Sequence, residues 1–319
     1  MKSQLERAEQ FRALHQRPGI FVMPNPWDAG SAKLFASLGF EAMATTSQGL
    51  ANALGRVDGT LAVSRDEVIA NCRIIADATD LPVNADLENG YADDPREAAH
   101  IITLAAAAGM VGGSIEDSSG NAAHPIYDFN LAVERVAAAA QIAHALPFPF
   151  TFTARAENLL HGRLDLDDTI KRLNAYAAAG ADVLYAPGLR DLDTIRMVAA
   201  AVPRPLNVVM SAADPALTVR QLEAAGVKRI SVGGARCGAG HACRVIRMGG
   251  PDHAGQRLEG DFQKVRAGKT WVRNVRAGHL LQSSRRSPAT CLNAPSLVTS
   301  TAPTLSAWAA ICMSSGASV

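Results

Sequence analysis

Eight short apolar runs alternate with seven alanine-rich amphipathic segments, and this rhythm constrains the chain more than any other feature. The runs are FVMPN (21–25), AMATTS (42–47), LPVNADLE (81–88), GGSIED (112–117), FTFTARAE (150–157), DVLYAPG (182–188), PLNVVMS (205–211) and KRISVGG (228–234). The segments between them, from SAKLFASLG to LTVRQLEAAG, carry helical spacing of apolar residues. Asp94 before Pro95, and Asp165 three residues before Asp168, mark helix starts, and Gly109, Gly180 and Gly226 mark helix ends. Strands alternating with helices predict a parallel sheet. Eight such units in about 220 residues predict an α/β fold of the (β/α)8 TIM-barrel type rather than an open doubly wound sheet. No GxGxxG follows the first run, which removes the best evidence for a dinucleotide fold.

Hydrophobic residues make up 48% of the chain and charged residues 19%, a balance that supports a large core and excludes a disordered protein. No apolar run reaches the roughly 18 residues of a membrane helix. The polar start, MKSQLERAEQFRALHQ, lacks the apolar stretch of a secretory signal. The expectation is a soluble, cytoplasmic chain with no membrane partner.

Polar residues gather at the C-terminal ends of the predicted strands, the rim that carries catalytic groups in such barrels. Asp86 and Glu88 lie two apart in NADLENGYAD, so strand alternation would point both the same way. Glu116 follows on the next strand. Three carboxylates on one rim, with no His or Cys close by in sequence, suit Mg2+, with Mn2+ as the alternative. They could instead cap helices or pair with Arg155 in a structural network. Arg155, in TARAEN, offers a planar fork to a carboxylate or phosphonate; its other reading is neutralisation of Glu157 or Glu116. Ser47, Gln48 and Gly49 offer hydroxyl, amide and backbone N–H groups to an anion. Asp58-Gly59 reads as a turn in a long βα loop fit for a lid, or simply as turn chemistry. His124 and His161 read as surface residues more readily than as site residues, and Cys72 as core packing.

Six pieces in order now give a resemblance. NPWDAGSA (25–32), TTSQGLANALGRVDG (45–59), NADLENGYAD (84–93), SIEDSSG (114–120), FTARAENLLHGR (152–163) and GADVLYAPGL (180–189) resemble the isocitrate lyase/phosphoenolpyruvate mutase superfamily over about residues 15–235. The resemblance implies a barrel that binds Mg2+ and small 2-oxo or 2-hydroxy acids. On that pattern Asp86 is the direct metal ligand, while Glu88, Glu116 and Asp58 hold metal-bound waters. Ser47, Gln48 and Gly49 bind the substrate carboxylate and Arg155 its other anionic end. Arg155 and Asp58 are the catalytic candidates. The implied activity is cleavage of a carbon–carbon bond through an enolate, as in an oxaloacetate decarboxylase or methylisocitrate lyase. The alternatives are a phosphonopyruvate-type P–C enzyme or an inactive, ligand-binding relative.

Two departures narrow this. The acid lyases carry a KKCGH loop where this chain has ALGRVDG (53–59), without Cys, which argues against isocitrate lyase itself. The phosphonate enzymes carry a His after the sixth strand where this chain has YAPGL. No general acid stands out.

The chain changes character near residue 236. Residues 1–235 hold 20 Lys+Arg and 27 Asp+Glu, net −7, and residues 236–319 hold 11 and 3, net +8. Four of five cysteines fall in that basic tail, in no zinc spacing. The expected organisation is a catalytic barrel over 1–235 and an atypical tail over 236–319, as a shift of reading frame would produce. The superfamily continues past its eighth strand with a helix across a subunit interface, so a homo-oligomer is expected where that helix is intact. A nucleic-acid partner is disfavoured because the tail lacks a recognisable module.

Overall fold

The computed structural model describes residues 2–210 and 217–233. Expectations for residues 236–319 lie outside them. Eight parallel strands form one sheet in the order β1-β8-β7-β6-β5-β4-β3-β2. They are β1 (Phe21–Met23), β2 (Met43–Ala44), β3 (Val83–Asp86), β4 (Gly112–Glu116), β5 (Thr151–Arg155), β6 (Val183–Tyr185), β7 (Leu206–Val209) and β8 (Arg229–Ser231). Helices α1 (Gln4–Gln16), α2 (Ala29–Ser37), α3 (Ser47–Ala53), α4 (Arg65–Asp77), α5 (Pro95–Ala107), α6 (Phe129–Ala145), α7 (Leu166–Ala178), α8 (Leu192–Ala201) and α9 (Val219–Ala224) complete the described elements. This is the predicted (β/α)8 barrel, nearly closed.

The local signals act as their chemistry requires. Asp94 and Asp165 are N-caps, accepting from Glu97 N at 3.1 Å and Asp168 N at 2.9 Å. No helix of the described residues is long and apolar enough to cross a membrane.

The seam between β1 and β2 has no strand ladder. β2 is two residues long, and Pro24, after β1, has no N–H to donate. Pro24 still accepts from Ala44 N at 3.0 Å. Asn25 bridges the rest: its Nδ2 donates to Thr45 O at 3.0 Å, and its Oδ1 accepts from Val232 N at 2.8 Å and Gly233 N at 2.9 Å. One amide side chain thus ties the first, second and last strands together at the rim.

At the opposite end α1 closes the barrel. Its buried Ala8, Phe11 and Leu14 pack with Phe21, Met23, Ala42, Ala44 and Val111. His15 stands edge-on to Phe11 and Phe21, with ring centroids 4.7 and 5.0 Å away. Its Nδ1 donates to Phe11 O at 2.8 Å, so Nε2 carries the lone pair that accepts from Arg229 Nη1 at 3.3 Å. Burial, with the charges of Arg229 and Lys228, pushes His15 down to about 3. A depressed histidine is neutral in the fold where the unfolded chain would be protonated, so its stabilisation is intact above pH 6.5 and is lost as pH falls towards 3. His15→Gln keeps an acceptor and removes the titration. Between pH 7 and pH 5 its unfolding free energy in urea should fall by about 2 kcal/mol less than that of wild type. An identical fall in both proteins refutes this account.

Candidate active site

The rim is built on the strands' C-terminal ends. Asp86 ends β3, Glu116 ends β4 and Arg155 ends β5. Ser114 pairs with Thr153 and Glu116 with Arg155 across β4 and β5, which brings an acid and a base into register. The guanidinium of Arg155 meets three carboxylates: Asp86 Oδ1 from Nη1 at 3.0 Å, Glu116 Oε2 from Nη2 at 3.0 Å, and Glu157 Oε1 from Nε at 2.9 Å. It also lies 5.0 Å from the centre of the Tyr185 ring. All of this is largely buried, so the charges are weakly screened.

Five carboxylates, Asp58, Asp86, Glu88, Glu116 and Glu157, share this one guanidinium. Burial first, then the charges of Asp86 and Asp58, push Glu88 up to about 8. Burial and Asp86 raise Asp58 in the same way. Burial raises Glu116 well above the usual carboxylate range despite Arg155. The excess of negative charge is the chemistry that a cation relieves.

Glu88 reaches the cluster by a route other than strand alternation. β3 stops at Asp86, and Glu88 follows it with φ +49°, in the left-handed region. Gly90 and Tyr91 are also left-handed, at +81° and +60°. A Cβ on Gly90 would stand 2.8 Å from Ala98 O, so the turn presses directly on α5. Arg135, from α6, latches the same turn by donating to the carbonyls of Asn89, Ala92 and Asp93.

A second brace comes from α7. Asp117 faces away from the barrel interior and accepts from Tyr176 OH at 2.6 Å, Arg172 Nη1 at 3.1 Å and Glu157 N at 2.7 Å. It thereby fixes the residue that holds Arg155 Nε. Arg135 and Arg172 were not singled out from the sequence. A basic residue inside an apolar helix face was their only signal.

A cavity of about 280 Å³ opens at this rim; its lining includes Ser47, Gln48, Asp58, Asp86 and Arg155. Glu88, Glu116 and Gly49 are not among its lining residues. The first part of the segment after β2 is not loop but helix α3, with Ser47, Gln48 and Gly49 in its opening turn. Ser47 N donates to Asp86 Oδ2 at 3.0 Å and Gly49 N to the cap, Thr46 Oγ1, at 3.2 Å. A Cβ on Gly49 would lie 2.5 Å from Thr46 Cγ2, so close packing accounts for this glycine. Ser47 and Gln48 therefore offer side chains, and the Gly49 amide is spent on the cap. Leu160 also lines the cavity. His161 is exposed and meets Ser118 Oγ at 3.3 Å, while His124 lines a different cavity with Asp93 and Tyr127. Cys72 is buried core, as expected.

A cation fits here in one mode. Among the described residues no three His, Cys, Asp or Glu side chains are grouped to hold an ion directly. Asp86 and Glu116 instead meet on Arg155, and Glu88 lies close enough to feel the charges of Asp86 and Asp58. Yet Asp58 Oδ1 and Tyr91 OH are buried with no hydrogen-bond partner, and both sit beside the charged cluster. Unsatisfied oxygens beside clustered carboxylates suit an ion that keeps most of its water, as Mg2+ does.

The comparisons with known proteins bear on this geometry. The family model described as phosphoenolpyruvate phosphomutase matches residues 11–244. The chain belongs to this family. The phosphoenolpyruvate phosphomutase family member described here is 55% identical to a solved Burkholderia cenocepacia J2315 protein described as a lyase/mutase, with TM-score 0.71 over 76% of this chain and 84% of that one. It is 30% identical to the oxaloacetate decarboxylase of Chromohalobacter salexigens, over 71% of this chain and 78% of the relative. It is 27% identical to the 2-methylisocitrate lyase of Halalkalibacterium halodurans, over 72% of this chain and 76% of the relative. These relatives, within the isocitrate lyase/phosphoenolpyruvate mutase superfamily, carry the names of a lyase/mutase, a decarboxylase and a lyase.

Proposed function

We propose that this family member is a Mg2+-dependent carbon–carbon lyase or decarboxylase of small 2-oxo or 2-hydroxy di- or tricarboxylates, acting through an enolate. The observation that carries the reading is one small cavity lined by Ser47, Gln48, Asp58, Asp86 and Arg155 at the strands' C-terminal ends. Mg2+, when bound, would polarise the substrate carbonyl and stabilise the enolate left after cleavage. Asp86 would hold the ion directly; Asp58, Glu88 and Glu116 would hold its water. The Ser47 hydroxyl and the Gln48 amide orient the substrate's reacting carboxylate. Arg155 balances Asp86, Glu116 and Glu157, and so keeps the cluster from collapsing into protonated acids. The relatives named decarboxylase and lyase fit C–C cleavage and the family model, described as a phosphomutase, fits P–C cleavage; YAPGL after β6, where the phosphonate enzymes carry a histidine, supports the C–C reading.

Purified full-length protein, incubated with oxaloacetate, substituted malates, 2-methylisocitrate and phosphonopyruvate, separates the readings. Pyruvate or CO2 release that depends on Mg2+ and stops with chelator is the expected result. Phosphate release from phosphonopyruvate alone replaces it with the P–C reading. Ligand binding without any turnover leaves a binding relative.

A further inference from the structure

The cavity does not end at the rim. Asn84, Ser114, Asn207, Arg229 and Ser231 also line it. Arg229 lies two residues before Ser231 on β8, so both side chains point into the barrel, Arg229 one layer deeper. Barrel interiors are usually filled by branched apolar side chains. This layer instead holds a guanidinium only 2% exposed, with Asn84, Ser114, Thr153 and Asn207 around it, all buried.

The two guanidiniums of the cavity differ in one respect. Arg155 is matched by three carboxylates. Arg229 meets neutral acceptors: Asn207 Oδ1 at 2.8 Å, Thr153 Oγ1 at 3.1 Å and His15 Nε2 at 3.3 Å. Among the described residues no carboxylate pairs with it. A buried charge without a counterion is costly, and burial pushes Arg229 down to about 9. Its three bonds start from Nε, Nη1 and Nη2. A guanidinium has five N–H groups, so one N–H on each terminal nitrogen is left to donate to a carboxylate. Asn84 Oδ1, in the same cavity, is buried with no hydrogen-bond partner. It supplies an acceptor for a substrate hydroxyl or a water beside that carboxylate.

We propose that the floor of the cavity is a second anion subsite, in which Arg229 receives the far carboxylate of the substrate and so selects dicarboxylates over monocarboxylates. This rests on the reading of the cavity as a carboxylic-acid site. It moves the second anionic end from Arg155, which is already neutralised, to Arg229, which is not. The cavity is small for a ligand site, in keeping with an acid of a few carbons.

Calorimetric titration of the full-length protein with succinate and with butyrate, in Mg2+, tests it. Wild type should bind succinate about 30-fold more tightly than butyrate, the value of one good charge-assisted contact. In Arg229→Gln the ratio should fall to within about threefold while butyrate affinity is unchanged. A merely structural role would lower both affinities together. No preference in wild type, or a preference that survives Arg229→Gln, overturns the subsite. Where Arg229→Gln does not fold, a crystal of wild type soaked in succinate decides. A carboxylate on the Arg229 guanidinium supports the proposal, and carboxylates at the rim alone overturn it. Turnover is a separate readout. No reaction on the acid panel, with succinate selectivity intact, removes the lyase reading and leaves the subsite. Turnover with undiminished dicarboxylate preference in Arg229→Gln does the reverse.

Discussion

Replacing Arg155 with methionine is expected to destabilise the barrel by about 3–5 kcal/mol at pH 8, and by much less at pH 5.5. Methionine keeps much of the volume, so the cavity term is small. What is lost is the one cation between Asp86, Glu116 and Glu157. Arg155 holds Glu116 and Glu157 down against burial, which raises both. Without it their folded-state values rise further above the unfolded carboxylate range. A carboxyl raised in the fold binds more protons folded than unfolded, so stability falls as pH climbs from the unfolded to the folded value and is recovered on acidification. The variant's urea midpoint should therefore climb as pH drops from 8 to 5.5, relative to wild type. Arg155→Lys should lie between the two, because an ammonium replaces the charge and not the three-way fork. A variant as stable as wild type at pH 8, altered only in KM, would make Arg155 a substrate contact and not the keystone of the acidic cluster.

The barrel was legible because its signals are local. Strand runs, N-caps at Asp94 and Asp165, and glycines after helices each need only a few neighbouring residues, and all eight strands and seven intervening helices overlap their predicted spans. Gly109, Gly180 and Gly226 take φ values of +91°, +110° and +90°, the conformation that ends a helix. What escaped depends on distant partners. Helix α3 is seven residues with a glycine in its first turn, a pattern that propensity does not favour. Period-two reasoning placed Glu88 on the face of Asp86; the chain delivers it to that cluster through left-handed backbone instead, held by Arg135 from α6. Arg229 sits in KRISVGG beside Lys228, and a basic pair at a strand start reads as exposed. Lys228 is half-buried and reaches the carbonyls of Arg17 and Gly19, while Arg229 is buried. Counting back by two from Ser231 was the available signal.

Asp86→Ala should lower Mg2+-dependent turnover at least a thousandfold, the scale of losing a catalytic electrostatic group, while leaving a folded protein. Asp86 does two jobs within the fold: Oδ1 accepts from Arg155 and Oδ2 from Ser47 N, the first amide of α3. Truncation leaves that amide without its partner and takes one of three carboxylates from Arg155, losses of about 1–3 kcal/mol each when buried. Against this, Glu88 and Asp58 are both raised by the Asp86 charge, and removing it relieves them. The opposing terms should leave net stability within about 2 kcal/mol of wild type. The readout that separates a metal ligand from a structural acid is therefore not stability but its response to the ion. Mg2+ that binds only the folded protein raises the melting temperature by mass action. Wild type should show that rise and Asp86→Ala should not, whether or not a substrate has been found. Asp86→Asn keeps the acceptor for Ser47 N and removes the charge, so it should be more stable than Asp86→Ala and equally unresponsive to Mg2+. If either variant keeps the full Mg2+-induced rise, the ion is not held at Asp86, and the acidic cluster serves only to anchor Arg155.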